Sequence, residues 1–156
     1  MWVLNTVRRM SASIDQDQWI AATKTLAQAN DILRTSWVQV PDTETWVGVV
    51  LRDVKLSLSR VEGQEGDQIS EMINEVYAYR FTLPEPFIRY VMITYPDKMW
   101  DLAIKMDHAV YDGTLLRIFD DHFNAILRDA EIPKHVEFRD FAFAVFEANK
   151  SRSLKY

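Results

Sequence analysis

Apolar side chains recur at three-to-four spacing early in the chain, at Trp19, Ala22, Leu26 and then Ala29 or Asn30, the period of one helix face. Asp15 stands just before them, where a carboxylate can accept from the first unpaired N–H groups of a helix. The pattern predicts a helix over 16–30. A second run, Ile69, Met72, Ile73, Val76 and Tyr77, follows an acidic stretch that suits a helix start and must end before Pro84. Leu116, Phe119, Phe123 and Leu127 predict a third helix, and Phe138, Phe141, Val145 and Phe146 a fourth.

Between the second and third helices the period changes. Residues 87–95 and 99–107 are rich in β-branched and aromatic side chains and flank Pro96, Asp97 and Lys98, which predicts a hairpin. Weaker strand patterns cover 3–10, 37–40 and 46–52, and the segment 61–67, with two glycines and three acids, reads as a surface loop. No internal repeat or domain boundary interrupts the 156 residues. The sum is one mixed α/β domain in which a hairpin runs into a loop and then a helix.

Composition narrows the chemistry. The 5 Trp, 6 Tyr and 8 Phe supply a substantial core, and 18 Lys and Arg against 23 Asp and Glu leave a net charge of -5 with no basic stripe, so no nucleic-acid partner is expected. The absence of Cys removes disulfides, thiolate metal sites and cysteine nucleophiles, and fits a reducing compartment. Four glycines form neither phosphate-binding loop, and no GxSxG occurs. No apolar run approaches the ~18 residues of a membrane span, and the first ten residues lack the zones of a signal peptide. A cytoplasmic protein without a membrane or metal partner is expected.

One local pattern stands out, MDHAVYDG at 106–113. It puts His108 just past a predicted strand, held by a rigid scaffold yet open to a ligand, with an imidazole able to exchange protons near neutrality. Asp112, four residues on, could touch His108 in a tight turn or face away into the scaffold. Gly113 would let the backbone turn sharply before the helix. By contrast, His122, preceded by Asp120 and Asp121, reads as part of a solvated helix face. His135, beside Pro133, has nothing convergent around it, and the five Trp read as core or interface anchors.

The segment DHAVYDG (107–113), preceded by two strands and followed by a helix, resembles the HHxxxDG signature of the condensation domains of nonribosomal peptide synthetases, relatives of chloramphenicol acetyltransferase. Upstream, ANDILRTSW (29–37) is similar to the family stretch RHExLRTxF, with Leu33, Arg34 and Thr35 intact. Downstream, VEFRDFAFAVF (136–146) resembles the aromatic stretch that follows the first lobe. The Ala, Val and Tyr that fill the motif are similar to fungal members.

The resemblance implies that residues 1–156 are a single N-terminal lobe, half of a chloramphenicol acetyltransferase-like α/β sandwich with helices packed on a mixed sheet. It implies that the family's opening strand and helix and its C-terminal lobe are missing. The implied reaction joins two acyl groups, carried as thioesters on the phosphopantetheine arms of carrier proteins, into an amide or ester; no cofactor is bound directly.

Residue by residue, the resemblance makes His108 the group that orients or deprotonates the attacking amine. It makes Asp112 a structural carboxylate facing Arg34, and Gly113 the residue that leaves room for the arriving arm. Asp107 stands where the family has its first His and is expected to support the loop. Carrier proteins and a C-terminal lobe are the implied partners. The isolated chain is expected to be inactive and to form a homodimer through an edge strand or the fourth helix. Two alternatives stand beside this reading: a non-catalytic docking lobe, and a fragment of a coenzyme A-dependent HxxxD acyltransferase.

Overall fold

A computed structural model describes residues 3–53, 55–63, 67–83 and 85–153. Its centre is a four-stranded mixed sheet of β1 (Val3–Met10), β4 (Leu58–Glu62), β5 (Ile88–Thr94) and β6 (Trp100–Asp107), in the order β1-β6-β5-β4. β6 pairs antiparallel with β1, from Val3 against Asp107 to Met10 against Trp100, and antiparallel with β5 on its other side. β4 runs parallel to β5. Parallel neighbours need a crossover, and α2 (Asp67–Ala78) supplies it.

The predicted hairpin is β5–β6. Its turn is closed by Tyr95 N–H to Met99 O at 3.0 Å and Lys98 N–H to Tyr95 O at 2.9 Å, with Lys98 at φ 65°. Because side chains alternate along a strand, Trp100, Leu102, Ile104 and Met106 of β6 join one core with Ile88, Tyr90 and Met92 of β5. α1 (Gln16–Ala29) and α3 (Gly113–Leu127) cover that core through Trp19, Leu26 and Phe119. Trp19 meets the rings of Tyr90 and Trp100 edge-on. On the opposite face Ala103, Val91, Ile93 and Tyr95 pack against Val76 of α2.

α1 begins where the sequence predicts, with Asp15 accepting from Asp17 N–H at 2.8 Å. It ends at Asn30, whose side chain donates to Leu26 O at 2.8 Å. A 3-10 turn, Asp31–Arg34, then leads into a separate antiparallel pair, β2 (Thr35–Gln39) and β3 (Trp46–Val50). This pair lies largely open, and all five β3 residues are exposed. β4 replaces the first residues of the predicted acidic loop, of which residues 64–66 lie outside the described residues. Gly63 follows β4, and a Cβ there would sit 2.6 Å from the Tyr95 ring and 2.8 Å from Ile93. Only glycine lets the chain pass so close. α4 (Phe138–Ser153) carries exposed Phe141, Phe143 and Phe146.

Candidate functional site

β6 delivers the motif. At its end Asp107 is buried; its backbone N–H bonds to Phe87 O at 3.0 Å and its Oδ1 accepts from Ala109 N–H at 2.9 Å. The second oxygen, Oδ2, is buried with no hydrogen-bond partner. The cap converts strand into a 3-10 turn, His108–Val110. Val110, 1% exposed, plugs that turn into the core. Asp112 then starts α3, its Oδ1 accepting from Leu115 N–H at 2.7 Å.

Two carboxylates thus fix the backbone on either side of His108. The imidazole itself is exposed and stacks on the Tyr111 ring, centroids 4.7 Å apart and planes 16° from parallel. An apolar cavity of about 410 Å³ lies between the sheet and α1 and α3, with Leu4, Trp19, Tyr90 and Phe119 among its walls, and His108 is not one of them.

The expected Arg34–Asp112 pair does not form. Arg34 pairs instead with Asp31, three residues back on the same 3-10 turn, and donates to Leu51 O at 2.6 Å. Leu51 N–H returns a bond to Arg34 O at 3.0 Å, so Arg34 holds the base of the β2–β3 pair. Asp112 is exposed and committed to capping α3. A partner three residues away wins because no remote loop has to be ordered to reach it.

At Gly113 the sharp turn expected before the helix is not what the backbone needs glycine for. This glycine is the first residue of α3, its φ lies outside the left-handed region, and a Cβ there would meet nothing within 4 Å. The chain's own backbone does not require glycine at this position.

Two histidines lie in settings other than those expected. His122 is 4% exposed, on the inner side of α3, and its Nδ1 lies 3.0 Å from Asn30 Nδ2. His135 comes within 5.0 Å of it, ring to ring. Burial first, then His135, hold the His122 pKa below the usual imidazole value against the opposing pull of the Pro133 carbonyl and Asp121. The spacing Leu115, Phe119, His122 and Ile126, one face of a helix, was the signal that would have placed His122 inward. Of the Trp, Trp19 and Trp100 are core, Trp46 is exposed, and Trp2 lies outside the described residues.

No family model matches the chain. Across all 156 residues, however, it is 36% identical to the nonribosomal peptide synthetase sidE of Aspergillus fumigatus, of which it spans 7%. An X-domain from teicoplanin biosynthesis superposes with a TM-score of 0.81 at 17% identity, over 97% of this chain and 34% of that one. A condensation-domain structure concerned with chain release from the enacyloxin polyketide synthase gives 0.71 at 16% identity, over 90% of this chain and 28% of that one. Over its whole length the chain is similar to a short segment of fungal nonribosomal peptide synthetases, and its fold is that of the condensation-domain and X-domain structures.

Residues 107–113, His108 included, lie on a strand-turn-helix junction within the expected mixed α/β architecture. No helix among the described residues is long and apolar enough to cross a membrane. Among the same residues, no group of three His, Asp or Glu gathers as a metal ion would require.

Proposed function

We propose that this lobe carries the His108 half of a catalyst that joins carrier-bound acyl groups. The amine lone pair of the acceptor attacks the donor thioester carbon, His108 takes the proton from the amine nitrogen, the C–S bond breaks, and the proton passes to the departing thiolate. The product is an amide, or an ester where a hydroxyl attacks. Positioning and general-base action of this kind contribute about 10²–10⁴-fold. The carrier proteins' phosphopantetheine arms bring the thioesters, and a C-terminal lobe completes the groove.

The observation that carries this reading is the pairing of an exposed imidazole on a doubly capped turn with open space at Gly113. Among the described residues nothing lies within 4 Å of a Cβ placed at Gly113, which suits an arm arriving near the motif. In the intact parent synthetase with loaded carriers, Gly113→Val is expected to fold normally and to lose condensation. Unchanged turnover would refute the reading.

A second reading, a non-catalytic docking lobe, is favoured by Asp107 at the position of the motif's first His and by the Tyr111 ring stacked on His108. An X-domain of the same fold has been seen in complex with OxyB. Under that reading Gly113→Val leaves turnover intact and weakens capture of a partner protein.

A further inference from the structure

The apolar cavity of about 410 Å³ between the sheet and α1 and α3 is walled by core side chains. Trp19, Tyr90, Leu102 and Phe119 are each at most 7% exposed. Leu4, Thr6 and Met10 of β1, the edge strand, are half-buried and form the mouth with exposed Arg8 and Asp120. A space of this size falls in the range of small-molecule sites, which combine apolar walls with a few placed polar groups.

Two hydroxyls stand among the buried walls. Thr23 is 2% exposed and donates to Trp19 O at 2.9 Å. Tyr90 is held by its backbone N–H, which bonds to Ser57 O at 2.8 Å, and by its ring, which meets Trp19 edge-on with centroids 5.6 Å apart. Its hydroxyl makes no hydrogen bond among the described residues, whereas a phenol with a buried body ordinarily finds a partner for its O–H. Burial alone raises the Tyr90 pKa, with no charge or hydrogen bond acting on the group, so it is a neutral donor at physiological pH. Orphaned atoms that are sealed away, such as Trp37 Nε1, are beyond the reach of a ligand; the Tyr90 oxygen is not one of these, and the surface it keeps is cavity surface. The charged residues of the wall, Arg8 and Asp120, are of opposite sign and lie at the mouth, so nothing in the buried part offsets the desolvation of an ion. The Tyr90 O–H therefore selects an acceptor on an uncharged molecule.

We propose that this cavity binds a small uncharged ketone, its apolar body against Leu102 and Phe119 and its carbonyl oxygen accepting from the Tyr90 hydroxyl. His108 is not among the walls, so the site is separate from the motif's chemistry and stands whichever reading of the motif is correct.

NMR of the chain with labelled Leu and Ile methyl groups tests it, with acetophenone as the probe, α-methylstyrene as the isostere that carries CH₂ in place of the carbonyl oxygen, and benzoate as the charged analogue. Acetophenone is expected to shift the methyl signals of the wall residues Leu26, Ile88 and Leu102 saturably. It is expected to bind about three- to tenfold more tightly than α-methylstyrene and about tenfold or more above benzoate. Tyr90→Phe keeps the ring against Trp19 and removes the donor, and is expected to abolish the preference for the ketone while α-methylstyrene still binds. Thr6→Trp fills the mouth from the edge strand, leaves Tyr90 in place and is expected to weaken acetophenone about tenfold, so the proposal stays testable if one variant fails to fold. Methyl signals unmoved to the solubility limit of acetophenone, equal affinity for ketone and isostere, a ketone preference that survives Tyr90→Phe, benzoate binding as tightly as acetophenone, or unchanged affinity in folded Thr6→Trp would each overturn it.

Discussion

Replacing Asp31 by Ala leaves the Arg34 guanidinium in a site where its side chain is 15% exposed and its Nε already has no partner. Breaking a buried pair by deleting one member costs about 3–5 kcal/mol, because the remaining charge stays desolvated. Arg34 keeps its bond to Leu51 O, so the lower end, about 3 kcal/mol, is expected for Asp31→Ala. Asp112→Ala removes only a helix cap and is expected to cost about 1 kcal/mol.

The decisive quantity is the coupling. Urea denaturation of the single and double variants with Arg34→Met should give an interaction energy above about 1 kcal/mol for Arg34 with Asp31 and within about 0.5 kcal/mol of zero for Arg34 with Asp112. The reverse order, strong coupling to Asp112 and none to Asp31, would refute the assignment of Arg34 to the base of the β2–β3 pair and restore it to the motif loop.

Because the folded-state pKa of His122 lies below its unfolded value, the unfolded chain binds more protons in the interval between them. The His122 contribution to stability is full above the usual imidazole range near ~6.5, falls as pH drops through it, and stops falling below the folded value. Denaturation midpoints of the chain and of His122→Phe should therefore converge toward acid pH; a constant difference would contradict the argument. The lobe is also expected to self-associate through α4, where Phe141, Phe143 and Phe146 are 59%, 66% and 63% exposed. Light scattering should show association that Phe141→Ser, Phe143→Ser and Phe146→Ser together abolish, and a monomeric starting chain would exclude this role for α4.

Much of this fold follows from local pattern. β1 and the β5–β6 hairpin appear where alternation and turn residues place them, and α1 where Asp15 and its apolar stripe place it. β4 was not legible: LSRVE has two separated apolar residues, and it is a strand because β5 offers a parallel edge. The motif loop could be located from DHAVYDG, but the partners of its supporting carboxylates could not. Asp112 had three competing uses, and the first unpaired N–H groups of α3 lie closest. His122 was concealed by the acidic residues beside it in sequence, although the helix turns them to another face.

Single-turnover condensation in the intact parent synthetase, with both carriers loaded beforehand and the product followed by mass spectrometry, addresses the role of His108 most directly. His108→Ala is expected to leave carrier loading unchanged and to slow product formation by about 10²–10⁴-fold. Product formed at the rate of the unaltered enzyme would contradict the account and leave the lobe a docking module.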